Sequence, residues 1–265
     1  MKIGIVSSGV ESFSLFRFLS KYNHEYVIYY DSLHTPYWSK FFDTSKKFVE
    51  EGILWLKKHW VEKIILPPIF ELYFKEKYWD FILPIFSFYL SDYVFKYSLV
   101  WKLWLLWEYS DLQVAQSYIA KLSDDYKLSD NQLSIKSFSY PFNFWSKDGS
   151  LLNYLLWKLS WKSFLVNSVL KQELRYFKDA HVDTLIPLNY LYFNWEKTIK
   201  KFLNFKKIRF HWMDCIEDIF LKLVNLEWDN YSVDIYATDQ KDLLLNDKRL
   251  LWMLQRWKEV SLNWL

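Results

Sequence analysis

Lys-Ile-Gly-Ile-Val-Ser-Ser-Gly-Val-Glu-Ser, residues 2–12, decides how the rest of the chain is read. A short apolar run breaks at a Ser-Ser-Gly turn and passes into a helical pattern, the order of a first strand, loop and helix in an α/β domain. In such folds ligands sit at the carboxyl ends of the strands, which puts Ser7, Ser8 and Gly9 on the rim of a pocket.

Further apolar runs at 26–30, 63–66, 81–84, 102–106, 184–188, 208–210 and 233–236 read as strands. Most are separated by stretches with helical spacing. One sets Phe48, Val49, Gly52, Ile53 and Leu56 on one face and Lys46, Lys47, Glu50, Glu51, Lys57 and Lys58 on the other. Strand and helix alternate, so the expected class is α/β with mainly parallel sheets. Residues 2–9 are echoed weakly by 102–110, each a Lys-led strand opening into a turn. That echo predicts two pseudo-symmetric α/β domains with a ligand cleft between them. The expected division is 1–97 with 208–265 as one discontinuous domain and 98–207 as the other.

Hydrophobic residues make up 52% of the 265, and the net charge is +3 with basic residues spread along the chain. A globular protein is expected, and nucleic acid is not an expected partner. No run reaches the roughly 18 apolar residues of a membrane span, and no signal-peptide pattern opens the chain, so no membrane partner and a cytoplasmic setting are expected. A single cysteine, Cys215, excludes an intramolecular disulfide and reads as a small buried hydrophobe. His24, His59, His181 and His211 lack ligand-type spacing, so no metal is expected. His34, near Pro36-Tyr37, is placed to touch a ligand but reads first as an ordinary exposed loop histidine. No phosphate-cradling glycine loop occurs.

The composition holds one anomaly: 16 Trp against 4 Gly. Together they come to what glycine alone ordinarily supplies, about 7% of a chain. Trp60 follows Lys57-Lys58-His59 at a helix end, the position that favours a left-handed glycine. Trp38 follows Pro36-Tyr37, and Trp107 ends a strand at its loop, both places where glycine is usual. Ordinary aromatic richness is one reading. The sharper expectation is that the source reads UGA as glycine and that the sequence renders those codons as tryptophan.

Residues 31–40, Asp-Ser-Leu-His-Thr-Pro-Tyr-Trp-Ser-Lys, match the pattern Asp-x-x-x-x-Pro-Tyr-Gly-x-Lys once Trp38 is replaced by glycine. Residues 101–107 likewise approach Lys-Ile-Gly-Val-Ile-Gly, and 183–186 read Asp-Thr-Leu-Ile. Ser8, Gly9 and Val10 stand in register with an Asp-Ser-Gly-x-Gly-Gly loop. In these features the chain resembles glutamate racemase and its aspartate/glutamate racemase relatives over nearly its whole length.

The resemblance implies racemisation without a cofactor, in which one cysteine thiolate removes the α-proton and a second, on the opposite face, returns a proton. Such chemistry needs two activated thiols. Here the two family cysteine positions are Pro68 and Asn189, and Cys215 falls elsewhere. The family's loop aspartate is Ser7, its two following glycines are Glu11 and Ser12, and its Thr-Glu-Gly-Thr loop is Glu108-Tyr109-Ser110-Asp111. None of these replacements is Trp, so a misread codon does not explain them.

The implied protein is racemase-like, lacks two-thiol racemisation and binds a small carboxylate or amino acid. Its substrate-binding residues would be Ser7, Ser8, Pro36, Tyr37, Trp38, Asn189 and Tyr190, with no catalytic residue assigned. The resemblance also allows a homodimer and a role in peptidoglycan supply. Two alternatives stand beside it. One is an active isomerase or lyase on another acid with Glu71, Glu108 or Asp111 as base; the other is a structural or regulatory partner of a cell-wall enzyme.

Overall fold

The computed structural model describes residues 1–7, 9–34, 37, 40–95, 102–107, 116–122, 143–148, 164–176, 184–204, 213–224, 231–238 and 260–264. The chain forms two compact units, Met1–Pro84 with Phe220–Leu265, and Ile85–Ile219. The segment 98–207 expected as the second domain is contained within the latter.

In the first unit, β1 (Lys2–Ser7), β2 (Glu25–Tyr30), β3 (Lys63–Ile65), β7 (Ser232–Ala237) and β8 (Val260–Trp264) form one sheet in the order β3-β1-β2-β7-β8. Every pairing is parallel, with Ile5 opposite Ile28 on one side and Ile65 on the other. β1 and β2 are buried over five consecutive residues each, as strands covered on both faces must be. That requirement is why KIGIVS and EYVIYY are continuous apolar runs rather than alternating ones.

α1 (Val10–Leu19) follows β1, and α2 (Phe42–Lys58) follows β2. α2 buries Phe42, Ser45, Val49, Gly52, Ile53 and Leu56 and carries Asp43 in its first turn and Lys57 and Lys58 in its last, in keeping with the helix dipole. Two glycines set how closely it lies on the sheet. A Cβ on Gly52 would come 2.8 Å from the Tyr29 ring, and one on Gly4 would come 2.9 Å from both Leu56 Cδ1 and Val61 Cγ1. Either addition would make a packed side chain between helix and sheet give way.

The expected strand at 81–84 is a correction. It reduces to one parallel bridge between Ile64 and Ile82, held by Ile64 N donating to Phe81 O (2.9 Å) and Leu83 N to Ile64 O (2.8 Å). A turn in which Phe81 N and Ile82 N both donate to Tyr78 O precedes it, and Pro84 has no N–H to extend it. The expected strand at 208–210 lies outside the described residues.

The second unit has a parallel sheet in the order β5-β4-β6, from β4 (Lys102–Trp107), β5 (Asn143–Asp148) and β6 (Thr184–Pro187). Its helices include α4 (Ile85–Phe88), continuing into a π-helical turn over Tyr89–Phe95, then α5 (Phe164–Tyr176) and α6 (Glu196–Asn204). A 3-10 turn, Tyr190–Trp195, leads into α6, and α5 packs on α6. α7 (Met213–Leu223) carries the chain back toward the first unit. β1 and β4, the two halves of the sequence echo, are each flanked by a strand on both sides.

Candidate functional site

In the first unit a polar cluster lies where the parallel strands end. Asp31 is the first residue beyond β2, and its N–H donates to Ser7 O at the end of β1 (2.9 Å). Its side chain is only 1% exposed. The carboxylate accepts from Tyr37 Oη (2.8 Å), Thr238 Oγ1 (3.1 Å) and His34 N (3.1 Å), and it faces His34 Nδ1 at 3.0 Å. Thr238 is the first residue beyond β7. Its N–H donates to Tyr30 O (3.1 Å), and its hydroxyl accepts from Leu33 N (3.2 Å). Asp31 thus ties the end of β1 through its backbone, and the end of β7 and the loop after β2 through its carboxylate. Because its bonds are charge-assisted, it fixes that loop more firmly than neutral pairs would.

Apolar contacts hold the same loop from the other side. The His34 ring stacks on Phe48 of α2 with centroids 3.7 Å apart. Tyr37 is buried, meets the edge of Phe70 at 6.1 Å, and its carbonyl accepts from Ser45 Oγ (2.9 Å). Ser7 is buried as well. Its hydroxyl donates to Gly9 O (2.8 Å) and accepts from Gly9 N (3.2 Å), closing the turn into α1. Gly9 has φ 154° and ψ −153°, a combination essentially confined to glycine.

α3 (Pro68–Phe74) follows β3, with Pro68 at its first position, where a missing N–H costs nothing. Glu71, in the first turn of α3, has 0% of its surface exposed.

In the second unit, Leu188, Asn189 and Tyr190 beyond β6 are all buried, and Asn189 O accepts from Tyr192 N (3.3 Å). Tyr190 stacks on Phe193 at 5.5 Å. Lys200 bonds Glu196 (2.9 Å) and Asp214 (3.0 Å). Burial pulls its ammonium down, but the two carboxylates outweigh that and hold it above the usual lysine range. Beside Asp214, the thiol of Cys215 is buried and pushed up to about 12, by burial first and then by the Asp214 charge. At neutral pH it is a thiol, and a thiol is neither base nor nucleophile.

No protein-family model matches the sequence, and no curated protein matches it. Solved structures do. A glutamate racemase isoform from Bacillus anthracis superposes with TM-score 0.73 at 15% identity, covering 99% of this chain and 96% of the other. Glutamate racemase from Francisella tularensis, solved in complex with D-glutamate, gives 0.71 at 17%, covering 99% and 95%. The Aquifex pyrophilus glutamate racemase gives 0.63 at 22%, covering 99% and 98%. The fold is that of glutamate racemases.

On this racemase fold the residues expected at the site divide by unit. Ser7 and Tyr37 are both tied to Asp31, one through its backbone and the other through its side chain. Asn189 and Tyr190 sit at the corresponding end of β6 in the second unit. Ser8, Pro36 and Trp38 lie outside the described residues, as do Glu108 and Asp111.

His34, which sequence reads as an ordinary exposed loop residue, is instead packed on Phe48 and bonded to Asp31. Thr238 was not anticipated; it stands 207 residues from Asp31 and meets it only because β7 pairs with β2. Asp31 could have been found from its place directly after an apolar run. Among the described residues no group of His, Cys, Asp and Glu is placed to hold a metal ion, and no helix is long and apolar enough to cross a membrane.

Proposed function

We propose that this is a glutamate/aspartate racemase-like protein that does not perform two-thiol racemisation and binds a small carboxylate or amino acid. One observation carries the reading: the only thiol in the chain, Cys215, is buried with its pKa pushed up to about 12. The two positions that the resemblance gives to catalytic cysteines are Pro68 and Asn189. Neither residue type can take a proton from a carbon acid, and the chemistry needs a group of suitable pKa on each face of the substrate.

Binding rests on the retained loops. The segment around Tyr37 is anchored through Asp31, and the racemase from Francisella tularensis on the same fold binds D-glutamate. Ser7, Ser8, Pro36, Tyr37 and Trp38 from the first unit and Asn189 and Tyr190 from the second are the proposed ligand contacts.

The test follows the α-proton. The protein is incubated with L- or D-glutamate, then with aspartate, in deuterated water and followed by proton NMR. No loss of the α-proton signal is expected. Exchange above the buffer background would overturn the reading and favour the alternative in which Glu71, Glu108 or Asp111 acts as base. Melting in the presence of glutamate, aspartate and simple dicarboxylates checks the binding half: at least one should raise Tm. No shift with any of them would remove the binding claim.

A further inference from the structure

α2 ends in a pattern of bonds that fixes the conformation of residue 60. Lys58 is its last helical residue and His59 its cap. Trp60 N donates to Lys57 O and Val61 N to Leu56 O, both at 3.4 Å. These are the paired bonds of a Schellman ending, which require the residue after the cap to be left-handed. Trp60 has φ 57° and is the only non-glycine residue with positive φ among the described residues. A Cβ in that conformation crowds the following carbonyl, which is why glycine dominates there.

Trp60 gains nothing in return. Its side chain is 86% exposed, so no burial offsets the strain. Trp55, one turn earlier, is an indole that the fold uses: it stacks on His59 at 3.6 Å and contacts Tyr236 at 4.7 Å and Tyr29 at 5.5 Å. The ending cannot easily shift to relieve residue 60. Leu56 and Val61, the residues joined by the bond that spans more of the chain, both lie against Gly4, closer than an added Cβ there would permit.

A second position points the same way. In the echo between the halves, Gly4 of β1 corresponds to Trp104 of β4. Both occupy the third position of a strand flanked on each side, Gly4 between Val27 and Ile64, Trp104 between Trp145 and Leu185. A tryptophan therefore stands at the counterpart of a glycine that close helix packing demands. With 16 Trp and 4 Gly in the chain, one cause acting on a codon accounts for the pattern more simply than many independent substitutions.

We infer that residue 60 is glycine in the protein its source makes, because codon 60 is UGA and is read there as glycine. UGA read as tryptophan differs from UGA read as glycine only in the transfer RNA that decodes it, so the whole set changes together. This inference is independent of the proposed function.

Two readouts decide it. The gene should carry UGA at codon 60; UGG there would overturn the inference. Protein purified from source cells and digested with trypsin should yield residues 59–63 as His-Gly-Val-Glu-Lys, lighter than the written His-Trp-Val-Glu-Lys by one tryptophan-to-glycine difference. Tryptophan, or any residue but glycine, at the second position of that peptide would overturn it as well.

Discussion

Replacing Trp60 by glycine in the chain as written should stabilise it, and the structure sets the size. A residue with a Cβ held near φ 57° loses roughly 1–2 kcal/mol against glycine. Glycine gives back part of that, roughly 0.5–1 kcal/mol, through its greater freedom in the unfolded chain. Since the indole is 86% exposed, its removal forfeits little burial. The net gain expected for Trp60→Gly is about 1 kcal/mol, or about 3 °C in Tm for a protein of this size. Urea titration and thermal melting followed by far-ultraviolet circular dichroism would measure both. Trp60→Ala is the control, because it removes the same indole and keeps the Cβ. It should gain nothing, and Trp60→Asn should fall between, since asparagine tolerates the left-handed region better than most residues. If alanine stabilised as much as glycine, the indole and not the backbone would be at fault, and the reasoning from φ would fail.

Three further outcomes follow from particular groups. Asp31→Asn keeps the shape but turns one acceptor oxygen into a donor facing Tyr37 or Thr238, so a loss of about 2–3 kcal/mol is expected by urea titration, against about 1 for Tyr37→Phe; a neutral Asp31→Asn would deny the carboxylate its anchoring role. With its pKa near 12, Cys215 should be thiolate to only about one part in ten thousand at pH 8, so a thiol reagent should leave the native protein unlabelled and react fully once denaturant is added; native labelling at the rate of a free cysteine would contradict the burial. His24 is fully buried with neither ring nitrogen bonded, and burial, with the N-terminal amine adding to it and Glu62 opposing, lowers its pKa below the ordinary value. The unfolded chain therefore takes up the proton first, so stability is intact above the unfolded pKa of about 6.5 and falls as pH drops from there toward the folded value. His24→Phe, which keeps the aromatic contacts with Tyr26 and Phe220, should flatten Tm between pH 7.5 and 5.5, and an unchanged slope would acquit His24.

How much of this was legible in the sequence depended on how apolar each strand is; β3 and β6 lie at sheet edges and are still announced by their apolar runs. β1, β2 and β4 have neighbours on both sides, and their apolar runs announce them. β5, Asn-Phe-Trp-Ser-Lys-Asp, and β8, Val-Ser-Leu-Asn-Trp, were missed, and both are edge strands, where polar side chains are tolerated and the hydrophobic run fades. The run at 81–84 misled for the opposite reason: it is apolar because it is buried, and it makes a single bridge. The site divided similarly. Ser7 and Tyr37 could be read from loops continuous in sequence, whereas Thr238 reaches Asp31 only through the order in which β7 follows β2 across the sheet. Local chemistry is written along the chain; strand order is not.

The saturation of Asp31 bears on what kind of activity could survive. A general base needs a lone pair open to the substrate, and a carboxylate that already accepts from Tyr37, Thr238 and the His34 backbone, with His34 Nδ1 against it at 3.0 Å, has its roughly four lone-pair sites engaged. Asp31 is therefore equipped to hold a loop in place and poorly equipped to remove a proton. Among the described residues, Glu71 is the carboxylate that the sequence offered as an alternative base, and it is fully buried in the first turn of α3, three residues after Pro68. The two carboxylates thus separate the hypotheses. If glutamate or aspartate exchanged its α-proton after all, Glu71→Gln should abolish the exchange while Asp31→Asn should only weaken it, by loosening the loop that carries Tyr37. Equal losses from both would mean that Asp31 does more than hold the loop.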